Sequence, residues 1–116
     1  NESFVFFREY GGGNWPAGSL GVQVTPERSI ATDKKIFPRG GVVLVDTTVC
    51  TITGEKKRFT KFMTDQDTGG AIRAPGRADL FMGVGPAAGI KAGGQYAEGK
   101  LYYLFLKPES IAIVPN

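Results

Sequence analysis

Histidine is absent from this 116-residue chain, and cysteine occurs once, at Cys50. The first absence excludes Ser-His-Asp triads, histidine general bases and His-containing zinc sites. The second excludes an internal disulfide framework, a Cys₄ zinc site and an iron–sulfur cluster. No apolar run approaches the ~18 residues that a membrane-spanning helix needs. The start, Asn1-Glu2-Ser3, lacks a signal peptide and a Met, so the chain is expected to be processed or a fragment. No cofactor or metal is implied. Any chemistry must run on carboxylates, lysines, tyrosines or hydroxyls.

What the chain has is glycine and short apolar runs. Seventeen glycines are about twice the average usage of roughly 7%, so the backbone turns often. A chain this size buries roughly 65% of its unfolded surface, enough for one core, and residues 1–116 read as a single domain. The runs Ser3–Arg8, Gly41–Asp46, Thr48–Ile52, Arg58–Met63, Leu101–Leu106 and Ile111–Val114 are rich in Val, Ile, Phe, Tyr and Thr. Each is bounded by Gly, Pro, Asp or Lys, the signature of strands. Leu20–Val24 is a weaker seventh. One helix is expected: Pro86 stands at a first helical position, Ala87–Ala92 follows, and Gly93-Gly94 supplies the stop. About six short strands with glycine corners predict an all-β fold, closed as a barrel so that no edge stays open.

The net charge of +3 is mild. Its basic runs, Lys34-Lys35 and Lys56-Lys57-Arg58, are not interleaved with aromatics and read as solvated loop and strand ends, not as a nucleic-acid surface. Gly83-Val84-Gly85-Pro86-Ala87-Ala88 fits G-x-G-x-x-A. However, Pro86 removes an N–H and no parallel βαβ unit surrounds it, so it reads as a helix-initiating turn. Gly54-Glu55-Lys56-Lys57 reads as a hairpin turn.

The informative segment is Asp65–Phe81, DQDTGGAIRAPGRADLF. It carries Asp65, Asp67 and Asp79, and Thr68-Gly69-Gly70 can offer backbone N–H groups to a ligand. Asp79 stands between Ala78 and Leu80-Phe81-Met82. Apolar packing around a carboxyl favours its neutral, proton-donating form, while neighbouring Arg73 and Arg77 act in the opposite direction. On composition alone, a turn of Asp and Gly remains an alternative.

Gln66–Arg73, Arg77–Phe81, Gly83-Val84-Gly85, Ala88-Gly89 and Ala92-Gly93 resemble the core of the MltA family of membrane-bound lytic murein transglycosylases, their three-aspartate (3D) domain. The resemblance extends to Ser3–Glu9, Gly18–Val22, Arg28–Asp33 and Gly99–Leu104. It implies a double-psi β-barrel, with the family's aspartates on Asp33, Asp67 and Asp79. Asp79 would be the catalytic acid, Asp67 its supporting neighbour and Asp33 structural. Thr68, Gly69, Gly70 and Ala71 would hold the sugar. The implied partner is a peptidoglycan glycan strand in the bacterial periplasm or at the outer membrane. A lipid anchor outside this chain would supply the membrane attachment, and the protein would be a monomer. The 3D domain is the C-terminal part of such enzymes. An earlier segment and an inserted domain supply the other wall of the glycan groove, so this chain alone is expected to fold but to degrade murein poorly or not at all.

In this chemistry one carboxyl can serve twice. The C6 hydroxyl of the N-acetylmuramoyl residue attacks its own C1, closing a 1,6-anhydro ring. A single group protonates the leaving oxygen and receives the hydroxyl proton. Two alternatives stay open: a hydrolytic glycosidase or expansin-like barrel pairing Asp67 with Asp79, and a non-catalytic glycan-binding barrel. Trp15, Tyr102 and Tyr103 are candidate sugar-stacking rings, although one core-facing and one exposed strand tyrosine is the simpler reading of the last two.

Overall fold

The computed structural model describes residues 4–7, 9 and 16–110. Five strands form one sheet: β1 (Ser29–Thr32), β2 (Val42–Cys50), β3 (Lys56–Asp67), β4 (Ala78–Leu80) and β5 (Lys100–Leu104), in the order β4-β1-β3-β2-β5. β1 runs parallel to β3, and the other pairings are antiparallel. A single α-helix, α1 (Pro86–Gly93), follows β4, and a short 3₁₀ turn (Pro108–Ser110) follows β5. No helix among the described residues is long and apolar enough to cross a membrane.

Period-two burial explains the sheet. Val43, Val45 and Val49 of β2 and Phe59 and Met63 of β3 face inward with Ile30, Met82 and Ala88. Each of these side chains larger than alanine contributes about 1.5–3 kcal/mol when fully buried. The runs expected at Gly41–Asp46 and Thr48–Ile52 are one continuous strand, because β2 pairs residue for residue with β3 from Val42↔Thr64 to Cys50↔Lys56. The hairpin turn falls at Thr51–Glu55. The Thr51 N–H donates to the Glu55 carbonyl at 2.8 Å, and Gly54 adopts a φ of 86°, where a side chain would be strained. The helix begins at Pro86 as expected and ends where the Gly94 N–H donates to the Ile90 carbonyl at 3.2 Å. A Cβ on Gly94 would stand 2.5 Å from Cys50 Sγ, so glycine lets α1 seat against β2.

Among the described residues the sheet is open, with β4 and β5 as its edges. Closure would need the further strands expected from the sequence. Phe4–Phe7 of the Ser3–Arg8 run carries no strand and is exposed. Leu20–Val24 contributes only the isolated bridge Ala17↔Gln23. Ile111–Val114 lies outside the described residues, as do Ser3 and Arg8. Conversely, β4 was not foreseen. Three residues between an arginine-rich turn and a glycine corner carry too little pattern to mark a strand, and β4 exists because β1 offers it a partner.

Candidate active site

The site grows from one irregularity. β1 and β3 pair as Ile30↔Asp65 and then Ala31↔Asp67, so Gln66 is an extra residue bulging from β3. A bulge reverses the faces of the residues beyond it. Asp65 therefore lies with Ile30 on the core side, fully buried, and Asp67 lies with Ala31 on the opposite face. The Ser29 hydroxyl donates to the Gln66 side-chain oxygen and holds the bulge.

On its other side, Ala31 pairs with Asp79 of β4. Directly opposed residues of neighbouring strands share a face. Asp67, Ala31 and Asp79 thus form one transverse row, with the two acids separated by two strand spacings, roughly 9–10 Å between backbones. Ala31 leaves the space between the carboxylates free of a bulky side chain.

The environments of the two acids differ. Asp67 is half-buried and accepts the Ser19 N–H at 2.9 Å. The loop that delivers this N–H packs through Gly18, where a Cβ would fall on the Gln66 carbonyl closer than real Cβ atoms come. Arg39 in turn donates to the Ser19 hydroxyl. Asp79 has a side chain 58% exposed, with Arg77 Nε at 3.8 Å. The apolar packing expected around Asp79 is absent because strand alternation turns Ala78 and Leu80 toward the core with their partners Thr32 and Ile30. Asp79 lines a groove of about 1070 Å³ that runs from β4 past Gln95–Lys100 to Leu101 of β5, between the two sheet edges.

Thr68, Gly69 and Gly70 line a different concavity. They wall a cleft of about 530 Å³ together with Asp33, Lys35 and Arg73. Ala71 is exposed and outside that wall. Arg73 reaches the Gly70 carbonyl through Nε at 2.6 Å rather than Asp79. Asp33 directly follows β1 and holds the turn after it. Its carboxylate accepts the Lys35 N–H at 3.0 Å, and its carbonyl accepts those of Ile36 and Phe37. Tyr102 is exposed on β5, while Tyr103 turns inward and stacks on Phe37 with ring centroids 4.5 Å apart. Trp15 lies outside the described residues. No group of three His, Cys, Asp or Glu gathers as a metal site among the described residues.

One cluster was missed by sequence reasoning. Lys34, read above as a solvated cation, has a side chain only 10% exposed, with Nζ 2.6 Å from Asp65 Oδ1 and 2.6 Å from Thr32 Oγ1. Thr32 and Tyr103 both donate to Asp65 Oδ2 at 2.6 Å. Burial, reinforced by the bond to Asp65, pushes the Tyr103 hydroxyl well above its usual pKa. A signal for this cluster existed in principle: Asp65 occupies an inward position of β3, and a buried carboxylate demands partners.

The family model of the 3D domain matches residues 28–105. The chain is 32% identical over 109 residues to membrane-bound lytic murein transglycosylase A of Vibrio cholerae serotype O1, a match covering 92% of this chain and 29% of that protein. Among solved structures it is similar to the lytic transglycosylase LtgG of Burkholderia pseudomallei. That match has a TM-score of 0.73 at 40% identity, over 88% of this chain and 30% of the other. Escherichia coli MltA with bound chitohexaose superposes with a TM-score of 0.75 at 26% identity, over 82% of this chain and 29% of that one. The chain thus spans less than a third of the length of these relatives.

Proposed function

The chain belongs to the 3D domain family, and from that premise we propose that it is the catalytic sheet of a lytic murein transglycosylase of the bacterial cell envelope. The substrate is a peptidoglycan glycan strand, cut at the β-1,4 bond between N-acetylmuramoyl and N-acetylglucosaminyl residues. The observation that carries this reading is the Asp67–Ala31–Asp79 row, with Asp79 opening onto the groove between the sheet edges. The glycan-bound relative supports a sugar ligand for such a groove.

In the proposed reaction, Asp79 in its acid form gives its proton to the glycosidic oxygen as the C1–O bond breaks. The C6 hydroxyl of the muramoyl residue bonds to C1 and returns its proton to the Asp79 carboxylate. The acid is thereby regenerated, no water is consumed, and the new end is a 1,6-anhydro sugar. Asp67, anchored by the Ser19 N–H, orients the substrate across the Ala31 gap. The turn Thr68–Ala71 faces a separate cleft and is left to parts of the substrate other than the sugar being cut. Positioned proton transfer of this kind is worth about 10²–10⁴-fold. The exposure of Asp79 assigns the task of excluding water to the bound glycan and to whatever covers the groove. The two open edges that meet at the groove are where additional strands would complete a double-psi barrel.

The two-strand separation of Asp67 and Asp79 also suits a hydrolytic pair with a water between them. Mass analysis of muropeptides released from sacculi distinguishes the two. Anhydro ends, lighter by one water, are expected; reducing ends would establish hydrolysis instead.

A further inference from the structure

The smaller cleft, beside Thr68–Arg73, has a chemistry that a neutral sugar does not call for. Three cations and one carboxylate border it: Lys34, Lys35, Arg73 and Asp33. Lys34 is already neutralised by the buried Asp65, and the Asp33 carboxylate is engaged by the Lys35 N–H. Lys35 and Arg73 are exposed, and neither takes part in any of the ion pairs among the described residues. Arg73 is nonetheless fixed, since its Nε bond to the Gly70 carbonyl sets the plane of the guanidinium fork. Ile72, 4% exposed, also lines the cleft and packs under Gly69 as its apolar floor. A Cβ on Gly70 would meet nothing, so the approach to the backbone there is open.

Such a cleft suits a carboxylate carried on a short apolar stem. A guanidinium fork matches a carboxylate in two-point geometry, a lysine adds a point charge, Ile72 takes the aliphatic part, and Thr68 offers a hydroxyl. In murein the lactyl carboxyl of the muramoyl residue is consumed in the amide that begins the peptide branch, so the free carboxylates on short apolar stems are those of the branch. We infer that this cleft is a subsite for the acidic peptide branch of the muramoyl residue, read by Lys35 and Arg73. The inference rests on the reading of the glycan strand as substrate. It assigns the glycine turn next to Asp67 to the branch, leaving the groove at Asp79 for the sugars.

The test is an NMR titration of the full chain with three probes. The first is N-acetylmuramoyl dipeptide with free carboxylates, the second its neutral diamide, and the third an N-acetylglucosamine oligosaccharide, which carries no carboxylate. The acidic probe is expected to shift the amides of Lys35 and Thr68–Arg73 and to bind at least about tenfold more tightly than the diamide. Its affinity should fall with added salt, since exposed charges are screened. The double substitution Lys35→Glu, Arg73→Glu should abolish the preference at unchanged melting temperature. Equal affinity for acid and diamide, an equal response to inorganic phosphate, or no shift in this cleft would overturn the inference. The oligosaccharide is expected to shift Ala31, Asp67 and Asp79. Failure of that arm alone would sink the glycan reading while leaving an acidic-peptide site standing.

Discussion

Asp67 and Asp79 are both register partners of Ala31, one from each neighbouring strand. The relationship depends on two things: the bulge at Gln66 and the pairing of β4 with β1.

Asp79→Asn should abolish turnover on sacculi, by about 10²–10⁴-fold or more, with the fold intact, because the amide keeps the shape but has no acidic proton. The exposure of the side chain makes a stability effect small. Asp67→Asn should be milder. Muropeptide release by both variants, beside their melting curves, checks the assignment; a dead Asp67 variant with an active Asp79 variant would reverse the roles.

Gly18→Ala should cost about 1–3 kcal/mol, the usual range for overpacking, because the new methyl meets the Gln66 carbonyl. The same shift moves the Ser19 N–H away from Asp67. Denaturant unfolding reads the first effect and activity the second. A variant as stable as the parent would show that the Pro16–Val24 loop yields freely.

Lys34→Met should destabilise by about 3–5 kcal/mol, since it strands the fully buried Asp65 without its cation. Adding Asp65→Leu should recover much of the loss, because removing both charges also removes the desolvation cost. A double-mutant cycle by chemical denaturation measures the coupling. Additive losses would mean that the pair does not act as a unit.

Tyr103 should resist ionisation through the range near pH 10 where free tyrosine titrates, because burial and Asp65 hold its hydroxyl neutral. A folded-state pKa raised above the unfolded value makes this contribution complete below about pH 10, with progressive loss as the pH climbs through the folded value. Absorbance at alkaline pH should show a late step that Tyr103→Phe removes.

Asp33→Ala should reduce stability by about 0.5–1.5 kcal/mol, the worth of a hydrogen bond, through loss of the Lys35 N–H contact. Activity at a temperature where the variant is folded should persist. An unchanged melting temperature with lost activity would make Asp33 part of the chemistry.

The chain's own apolar pattern imposed its strand-rich character, because alternating Val, Phe and Met in β2 and β3 can be buried only at a period of two. Local residues determined the helix at Pro86, through proline at one end and glycine at the other, and the hairpin at Gly54. The family was legible through the Gln66–Phe81 segment and its neighbours. Tertiary structure alone decided which acid faces where. Asp65 and Asp67 are two apart and would share a face in a regular strand; the unpaired Gln66 separates them, sending one into the core with Lys34 and Tyr103 and the other to the row with Asp79. It also decided that Asp79 is exposed, because β4 becomes a strand only by pairing with β1, and that pairing turns its apolar neighbours away. Register depends on partners distant in the chain, so no local pattern can encode it.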